Sequence, residues 1–238
     1  MSTGIVLHHL VDSRSQRVLW LLASPLSGEE LQIPYTLKIY QRTPTKQAPP
    51  ELAQVHPLGK SPVITDGDLV VAESGAIVEY LLQKYGNGRF QPPSEGLVKN
   101  IYYTHYAEGT LQNLLSNWRI YGMIGERAPW PLTYLSRIIM SKAQHAVLLP
   151  TIEASTAMVE KDLEESKTIW FAGGSEPTSA DFMMLLPLEI LPRAMGERIP
   201  KKIKEWVDAA HRRPAYQRAL KAGGEYAYAK LLPEASEQ

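Results

Sequence analysis

The sequence predicts a small α/β domain followed by an all-helical domain. Short strand and helix patterns alternate in the first third of the chain, and only helical spacing follows residues 85–93, a segment rich in glycine and proline. The composition agrees with this prediction, because 44% apolar and 21% charged residues are ordinary globular values and 238 residues suffice for two small domains.

The α/β part begins with a strand, a helix and a second strand. Ile5-Val6-Leu7 is a short apolar run typical of a buried strand. Residues 14–23 carry the apolar spacing of a helix, with Asp12 and Ser13 where its N-cap belongs. Residues 35–40 alternate between polar and apolar side chains, which predicts a half-buried strand.

A short helix, a hairpin and a third helix complete this part. Pro49-Pro50 places proline in the first turn of the short helix. Asp66-Gly67 lies between two β-branched runs, 61–65 and 69–72, and therefore predicts a hairpin. An apolar helical face over residues 76–85 then gives the order β-α-β-α-β-β-α.

The glycine- and proline-rich segment marks the domain boundary. We assign residues 1–85 to the first domain, 86–93 to a linker and 94–238 to the helical domain. Four long helical patterns are predicted beyond the linker, at residues 94–120, 131–166, 179–194 and 201–222.

The composition excludes several classes of function. The 25 basic residues balance 25 acidic ones, so no net field attracts the chain to nucleic acid or to an anionic membrane. The lack of cysteine excludes disulfides, protein thiol nucleophiles and dithiol redox chemistry, and the six histidines form no metal-binding pattern. Since we find neither a transmembrane stretch nor a secretory signal at residues 1–4, we expect a cytoplasmic protein without a metal.

Three positions could bring chemistry to one cleft. Ser13 lies between the first strand and the first helix, and Pro62 opens the third strand. Ser74 begins the third helix, where backbone N–H groups and the helix dipole favour a carboxylate. Each position also has a purely structural interpretation, as a helix cap or as the start of an edge strand. The predicted order of elements allows all three to face the same cleft.

The motifs around these positions resemble those of the cytosolic glutathione transferases, most closely the serine-type enzymes of fungi and bacteria. The similar segments are Ser13-Arg14-Ser15-Gln16-Arg17-Val18-Leu19-Trp20-Leu21-Leu22, Pro50-Glu51-Leu52, His56-Pro57-Leu58-Gly59-Lys60-Ser61-Pro62-Val63-Ile64, Ala72-Glu73-Ser74-Gly75-Ala76-Ile77, His105-Tyr106-Ala107-Glu108-Gly109-Thr110-Leu111 and Phe171-x-x-Gly174-x-x-x-Thr178-x-Ala180-Asp181. The resemblance covers nearly the whole chain.

The resemblance implies a thioredoxin-like domain that binds glutathione and a helical domain that supplies an open hydrophobic site. It also implies a homodimer with a cytoplasmic role in detoxification and the stress response. Glutathione would be a co-substrate, and no metal would be needed.

The resemblance further implies positions for glutathione. Lys60 would reach its glycyl end, and the backbone of Ser61, ahead of a cis Pro62, would pair with its cysteinyl unit. Glu73 and Ser74 would hold its γ-glutamyl end. Relatives commonly have valine where this chain has Ser61, and we expect little effect because the backbone makes the contact.

One further group must face the glutathione sulfur. A free thiol has a pKa of about 8.5, so an enzyme that uses it as a nucleophile must stabilise the thiolate. The resemblance implies that the Ser13 hydroxyl donates a hydrogen bond to the sulfur, with no histidine partner. Ser15 and the backbone N–H of Arg14 remain alternatives.

Aromatic residues of the helical domain are candidates for the acceptor site. Tyr102 and Tyr106 share a helical face by i, i+4 spacing, although aromatic residues at this spacing also suit a core or a dimer interface. Further candidates are Trp118, Tyr121 and Met123. The predicted loop 122–131 would form a lid or extend the pocket, and Glu108 and Arg119 would be parts of the cleft wall.

We therefore expect a glutathione transferase that conjugates the glutathione thiolate to small hydrophobic electrophiles, with organic hydroperoxides as a second class of substrate. The alternatives are a non-catalytic glutathione-fold protein that binds hydrophobic ligands, and a glutathione-dependent isomerase or specialised biosynthetic transferase. Without a cysteine, the thiol-transferase and dehydroascorbate-reductase branches of the family are disfavoured.

Overall fold

A mixed four-stranded sheet forms the first part of the molecule. The computed structural model describes residues 4–23 and 33–231, so the expectation about a signal at residues 1–4 falls almost wholly outside it. The strands are β1 Ile5–Leu10, β2 Tyr35–Tyr40, β3 Val63–Asp66 and β4 Leu69–Ala72. Their order is β2-β1-β3-β4, with β1 parallel to β2 and the other neighbours antiparallel.

The predicted hairpin is confirmed at the expected residues. Asp66 pairs with Leu69 across the turn, and Gly67 has a φ of 62°, a left-handed conformation that glycine adopts without the steric cost of a side chain. The order of elements in this part of the chain is also the predicted β-α-β-α-β-β-α.

Within residues 4–23 and 33–231, helices account for every other regular element. They are α1 Ser15–Leu22, α2 Leu52–Val55, α3 Ser74–Tyr85, α4 Leu97–Tyr106, α5 Gln112–Arg127, α6 Thr133–Ala143, α7 Leu149–Glu164, α8 Ser179–Ile190, α9 Pro192–Met195, α10 Lys201–Arg212 and α11 Pro214–Gly223. Short 3-10 turns lie at Ser94–Gly96 and Ala227–Lys230. No helix within residues 4–23 and 33–231 is long and apolar enough to cross a membrane.

Two of the predicted long helices continue through a π-helical turn. Ala107–Leu111 joins α4 to α5, and Gln144–Leu148 joins α6 to α7. A π-turn inserts one residue into the helical repeat and is frequent at functional sites. The sequence pattern shows apolar spacing on both sides of each turn and did not predict the change of hydrogen bonding.

The structure corrects two expectations about helix ends. Residues 122–127 are not a lid loop, because they continue α5 as far as Arg127. The single helix expected over 201–222 is divided at Pro214, where Arg213 has an extended ψ of 127°. A residue before proline is disfavoured in the helical region by a clash with the proline ring, which explains the division.

The core helices α1 and α8 lie at the centre of the molecule. Every residue of α1 is buried, and so is every residue of α8 except Ile190. Trp20 of α1 packs edge-on against Phe182 of α8, with ring centroids 4.6 Å apart, and against Tyr216 of α11 at 6.1 Å. These contacts fix α1 between the sheet and the helical part of the chain.

The sequence Thr178-x-x-Asp181 is typical of a capping box, and the structure has one at the start of α8. Asp181 accepts hydrogen bonds from the Thr178 N–H at 2.8 Å and the Thr178 hydroxyl at 3.0 Å. It also accepts from the Phe171 N–H at 3.1 Å and the Trp206 indole N–H at 3.0 Å. Burial raises the pKa of this carboxyl to about 6. Because this value is still below 7, the carboxyl is ionised at neutral pH.

We predict that Asp181→Ala lowers the free energy of unfolding by about 3 kcal/mol or more, because it leaves several buried N–H donors without an acceptor. The measurement is chemical denaturation at pH 7. Glu79→Ala, on the exposed face of α3, is the control and should change stability by less than about 0.5 kcal/mol. A loss below about 1 kcal/mol for Asp181→Ala would contradict the structural role.

Candidate active site

A cavity of about 560 Å³ separates the carboxyl end of β1 from the helical part of the chain. This volume lies within the usual range of small-molecule sites. The first part of the chain contributes to its wall Leu10, Asp12, Ser13, Arg14, Arg42, Ala48, Lys60 and Ser61.

The Ser13 side chain is at the cavity but makes two hydrogen bonds within the protein. Its hydroxyl donates to the Leu10 carbonyl at 2.7 Å and accepts from the N–H of Ser15, the first residue of α1, at 3.1 Å. The residue is only 8% exposed. The hydroxyl proton therefore already has an acceptor when no ligand is bound.

Ser15 lies behind the cavity wall rather than on it. It is completely buried, and its hydroxyl lies 2.9 Å from Nδ1 of His9. The other ring nitrogen, Nε2, lies 3.0 Å from the Gly223 carbonyl. A carbonyl can only accept, so Nε2 carries the proton and the Ser15 hydroxyl donates to Nδ1. This chain of contacts joins α1, β1 and the end of α11.

An ion-pair network joins α1 to the π-turn that follows α4. Arg17 is completely buried in α1, and its guanidinium lies 2.7 Å from Oε1 of Glu108. Arg14, on the cavity wall, lies 3.3 Å from Oε2 of the same carboxylate. Nε and Nη2 of Arg17 have no partner among the described residues. One carboxylate thus compensates two guanidinium groups, one of which is fully desolvated.

Ser61 has a role in the sheet that the sequence did not show. The pairing of β1 with β3 ends at His8 and Val63. Beyond that pair, the Ser61 hydroxyl donates to the His8 carbonyl at 2.8 Å and accepts from the Leu10 N–H at 3.0 Å. The Ser61 side chain therefore takes the place of the next backbone hydrogen bonds between β1 and β3. The neighbouring Pro62 has no N–H with which to make one.

The remaining positions expected to contact glutathione are divided between the cavity and its surroundings. Lys60 is exposed and lines the cavity, and the Ser61-Pro62 peptide bond is cis. Glu73 and Ser74 are not part of the lining. Glu73 precedes α3 with a φ of 71° and a ψ of 125°, which a residue with a side chain rarely adopts. Strain of this kind is often found at binding sites.

One face of α5 forms the opposite wall. Leu115, Trp118, Arg119 and Met123 follow one another at helical spacing along this face. Other helical residues in the wall are Gln112, Ser116, Gly122, Glu126, Gln144, Leu186, Ile190, Arg193 and Tyr228. The wall is held in place at Trp118, whose carbonyl accepts a 2.8 Å hydrogen bond from Gln144.

The five expected acceptor-site residues are distributed between this wall and other surfaces. Trp118 and Met123 line the cavity, whereas Tyr102, Tyr106 and Tyr121 do not. Tyr102 and Tyr106 stack on each other with ring centroids 5.4 Å apart. Tyr106 and Tyr121 also pack against the hydrophobic core.

Several residues of the cavity were not predicted from the sequence. Arg42 is held by three carbonyl oxygens, of Val11, Asp12 and Lys46, at 2.7–3.1 Å. Arg193 and Tyr228 reach the cavity from beyond α8, with the guanidinium 4.7 Å from the ring centroid. None of these residues lies in a recognisable motif, because their proximity is created by contacts between distant segments.

Glu108, which was expected from the sequence to be part of the cleft wall, does not line the cavity. It lies in the ion-pair network with Arg14 and Arg17.

The described residues include no group of three or more histidine and carboxylate side chains that could hold a metal ion. The cavity lining supplies hydroxyl, guanidinium and ammonium donors together with apolar side chains, and it also contains the carboxylates of Asp12 and Glu126. Such donors stabilise an anion, and the wall suits a hydrophobic compound.

We predict that His9 makes the protein sensitive to acid. Burial lowers the pKa of His9 to about 4, whereas the unfolded chain takes up this proton near pH 6.5. Its stabilising contribution is therefore complete above about pH 6.5, and about 3 kcal/mol is lost as the pH falls to about 4. In denaturation measurements between these values, His9→Gln should show a flatter pH dependence than the unaltered protein.

The exposed His105→Gln serves as the control and should retain the steep dependence. Equal slopes for His9→Gln and the unaltered protein would show that His9 does not titrate in this range. The His9 variant should also be less stable at pH 7, because Ser15 and Gly223 each lose a partner.

Comparison with known proteins shows the family of this chain. The family described as Glutathione S-transferase, N-terminal domain, matches residues 2–83. Glutathione S-transferase 3 of Schizosaccharomyces pombe is 32% identical over 215 residues, covering 89% of this chain and 84% of that protein. Glutathione S-transferase 1 of Saccharomyces cerevisiae is 30% identical, covering 80% of this chain and 82% of that protein.

The fold agrees with these sequence relatives. The crystal structure of a glutathione S-transferase from Actinobacillus pleuropneumoniae has a TM-score of 0.73 with this chain at 28% identity, and the match covers 95% of each chain. The four-stranded mixed sheet followed by a helical region is common to the predicted and the observed architecture. The chain belongs to the glutathione S-transferase family.

Proposed function

We propose that this chain binds glutathione at the β1 side of the cavity and joins it, through its thiolate sulfur, to a small hydrophobic electrophile held against α5. The observation that carries the proposal is the meeting of Ser13, Lys60 and Ser61 at one cavity whose opposite wall contains Trp118 and Met123. Anion-stabilising donors and an apolar surface are the two requirements of this reaction, and both border the same space.

We assign glutathione binding to residues 1–85 and acceptor binding to residues 94–238, with 86–93 as the linker. The sheet and helices α1 to α3 lie within residues 5–85, and the regular elements described between Ser94 and Leu231 are all helices. This division supports a glutathione site on the first domain and an acceptor site on the second.

In this proposal, Lys60 pairs with the glycyl carboxylate and the backbone of Ser61 pairs with the cysteinyl unit of glutathione. The hydrogen bonds of the Ser61 hydroxyl to β1 support this, because they turn the side chain into the sheet. Glu73 and Ser74 hold the γ-glutamyl end. The N-terminus of α3 favours a carboxylate there, and the strained backbone of Glu73 is consistent with a binding role.

We infer that Ser13, rather than Ser15, donates to the sulfur, which makes the enzyme serine-type. Ser15 is completely buried and donates to His9. Ser13 can turn its O–H from Leu10 to the sulfur without moving its oxygen, and can keep accepting from Ser15. The exchange gives up a neutral hydrogen bond of about 1 kcal/mol for a charge-assisted one of about 1.5–3 kcal/mol. The net gain corresponds to about one pKa unit of the thiol.

The proposed reaction is a nucleophilic displacement or addition. Glutathione loses its thiol proton to solvent, and the thiolate sulfur forms a bond to the electrophilic carbon of the acceptor. In a displacement, the leaving group departs with the electron pair of the broken bond. With an organic hydroperoxide, the same thiolate attacks the terminal oxygen, the O–O bond breaks, and the alkoxide leaves and takes up a proton to become the alcohol. The thiol of a second glutathione then attacks the sulfur of the resulting glutathione sulfenic acid, which forms glutathione disulfide and releases water.

We also propose that the protein acts as a cytoplasmic homodimer in detoxification and the stress response. Exposed apolar side chains support a subunit interface on β4 and α4, where Leu69, Val70, Val98 and Ile101 are all at least 43% exposed. Isolated apolar residues on a surface need no explanation, but a pair on each of these two elements suits an interface.

A pair of assays tests the function as a whole. Glutathione should raise the melting temperature of the protein, and a generic aryl chloride should be conjugated. Stabilisation by glutathione without any conjugation or hydroperoxide reduction would favour a non-catalytic binding protein. The absence of both effects would refute glutathione binding.

We predict that Ser13→Ala raises the apparent thiol pKa in the pH–rate profile by about one unit and lowers kcat at neutral pH by about tenfold. The KM for glutathione should stay within about twofold, because Ser13 contacts only the sulfur. An unchanged pH–rate profile would remove Ser13 from this role.

Ser15→Ala is the matched control for this experiment. It removes the neighbouring hydroxyl and its hydrogen bond to His9, so the melting temperature should fall. The thiol pKa should not change, because Ser15 does not line the cavity.

We predict that Lys60→Ala raises the KM for glutathione about fivefold or more, with kcat changed by less than about twofold. The loss of a charge pair with the glycyl carboxylate weakens binding equally in the ground state and the transition state. Lys142→Ala, which removes an exposed lysine on α6 outside the cavity, should leave the KM unchanged. A large fall in kcat with an unchanged KM would contradict the assignment of Lys60.

A further inference from the structure

The helical wall of the cavity carries two arginines that the proposed glutathione site does not use. Arg119 lies on the cavity face of α5, and Arg193 lies on α9. Neither guanidinium is within 4.0 Å of a carboxylate in residues 4–23 and 33–231. Both residues are exposed to the cavity and to solvent.

The other cationic side chains of the cavity already have partners or an assigned role. Arg14 pairs with Glu108 at 3.3 Å. All three nitrogens of Arg42 donate to backbone carbonyls. Lys60 is assigned to the glycyl carboxylate of glutathione. Arg119 and Arg193 are therefore the cations left for a second ligand.

Both arginines border apolar surface rather than other charges. Leu115 and Met123 lie one helical turn before and after Arg119 on the same face of α5. Arg193 stacks on the ring of Tyr228, with the guanidinium 4.7 Å from the ring centroid, and so has a fixed direction at the cavity. An apolar surface with cations beside it suits a ligand that is hydrophobic at one end and anionic at the other.

The single carboxylate on this wall does not neutralise Arg119. Glu126 lies seven residues further along α5, about 10 Å along the helix axis, and forms no ion pair with a described residue. A ligand anion near Arg119 would therefore meet a local excess of positive charge, although the chain as a whole has a net charge of zero.

We propose that the acceptor is an amphipathic electrophile with a carboxylate or similar anionic group, bound by Arg119 and Arg193 while its apolar part packs against α5. This inference rests on the proposed function, because it assumes that glutathione occupies the β1 side of the same cavity. It names the class of acceptor that this wall selects.

The test compares two acceptors with the same leaving group, one anionic and one neutral: 4-chloro-3-nitrobenzoate and its methyl ester. In both acceptors, the glutathione thiolate displaces chloride from the same ring carbon. Dividing the kcat/KM of a variant by that of the unaltered enzyme, separately for each acceptor, removes the difference in intrinsic reactivity between the two acceptors. The variants are Arg119→Gln, Arg193→Gln and the double substitution. Arg127→Gln, on α5 but outside the cavity lining, is the matched control.

We expect each cavity variant to lower kcat/KM for the carboxylate about fivefold, as is typical of a partly exposed charge pair. The methyl ester should change by less than about twofold, and its retained turnover shows that the variants are folded. The KM for glutathione and the Arg127→Gln kinetics should be unchanged. Added salt should lower the kcat/KM of the unaltered enzyme for the carboxylate relative to its kcat/KM for the ester, because salt screens the charge pair.

Three results would overturn the inference. Equal losses for the carboxylate and the ester would show that the arginines do not recognise the anion. A raised KM for glutathione in the cavity variants would assign them to the glutathione site instead. If the unaltered enzyme conjugates neither acceptor nor any other aryl chloride, the proposed transferase function fails together with the inference.

Discussion

The complete burial of α1 is the constraint on which the rest of the structure depends. This helix lies between the sheet, α8 and α11, and Trp20 contacts aromatic rings of both helices. Because a helix buried on all sides cannot rotate or slide without opening voids in the core, its first turn has a fixed position. The loop from Leu10 to Arg14, which forms one wall of the cavity, is thereby held at the boundary between the two parts of the chain.

That burial also determines how the polar groups of α1 are satisfied. Arg17 needs the carboxylate of Glu108, and the π-turn Ala107–Leu111 carries this residue at the junction of α4 and α5. Ser15 needs an acceptor, which His9 supplies while its other nitrogen bonds to Gly223. The same contacts that compensate buried polar groups therefore join distant segments around the site, so that stability and site geometry depend on one another.

Local signals predicted the elements whose conformation depends on nearby residues. The Asp66-Gly67 hairpin and the Thr178-x-x-Asp181 capping box are both present, because turn and cap chemistry involves residues only a few positions apart. Pro214, which divides the last two helices, was also a local signal. The apolar pattern continues on both sides of it, and this pattern therefore predicted one helix rather than two. The π-turns left no such signal, and the hydrogen bonds of Ser61 to β1 depend on strand pairing across about 50 residues.

The sequence by itself determined the fold class and the family, since these follow from short-range patterns and continuous motifs. Of the cavity wall formed by the first part of the chain, it indicated Ser13, Lys60 and Ser61 but not Arg42. Only the tertiary structure decided which hydroxyl is accessible, because Ser13 and Ser15 differ in burial and partners although they are two residues apart. It also decided which side chains of the helical part face the cavity. Trp118, Arg119 and Arg193 reach the same space through the packing of α5, α8 and α9, and helical spacing alone does not specify how helices pack against one another.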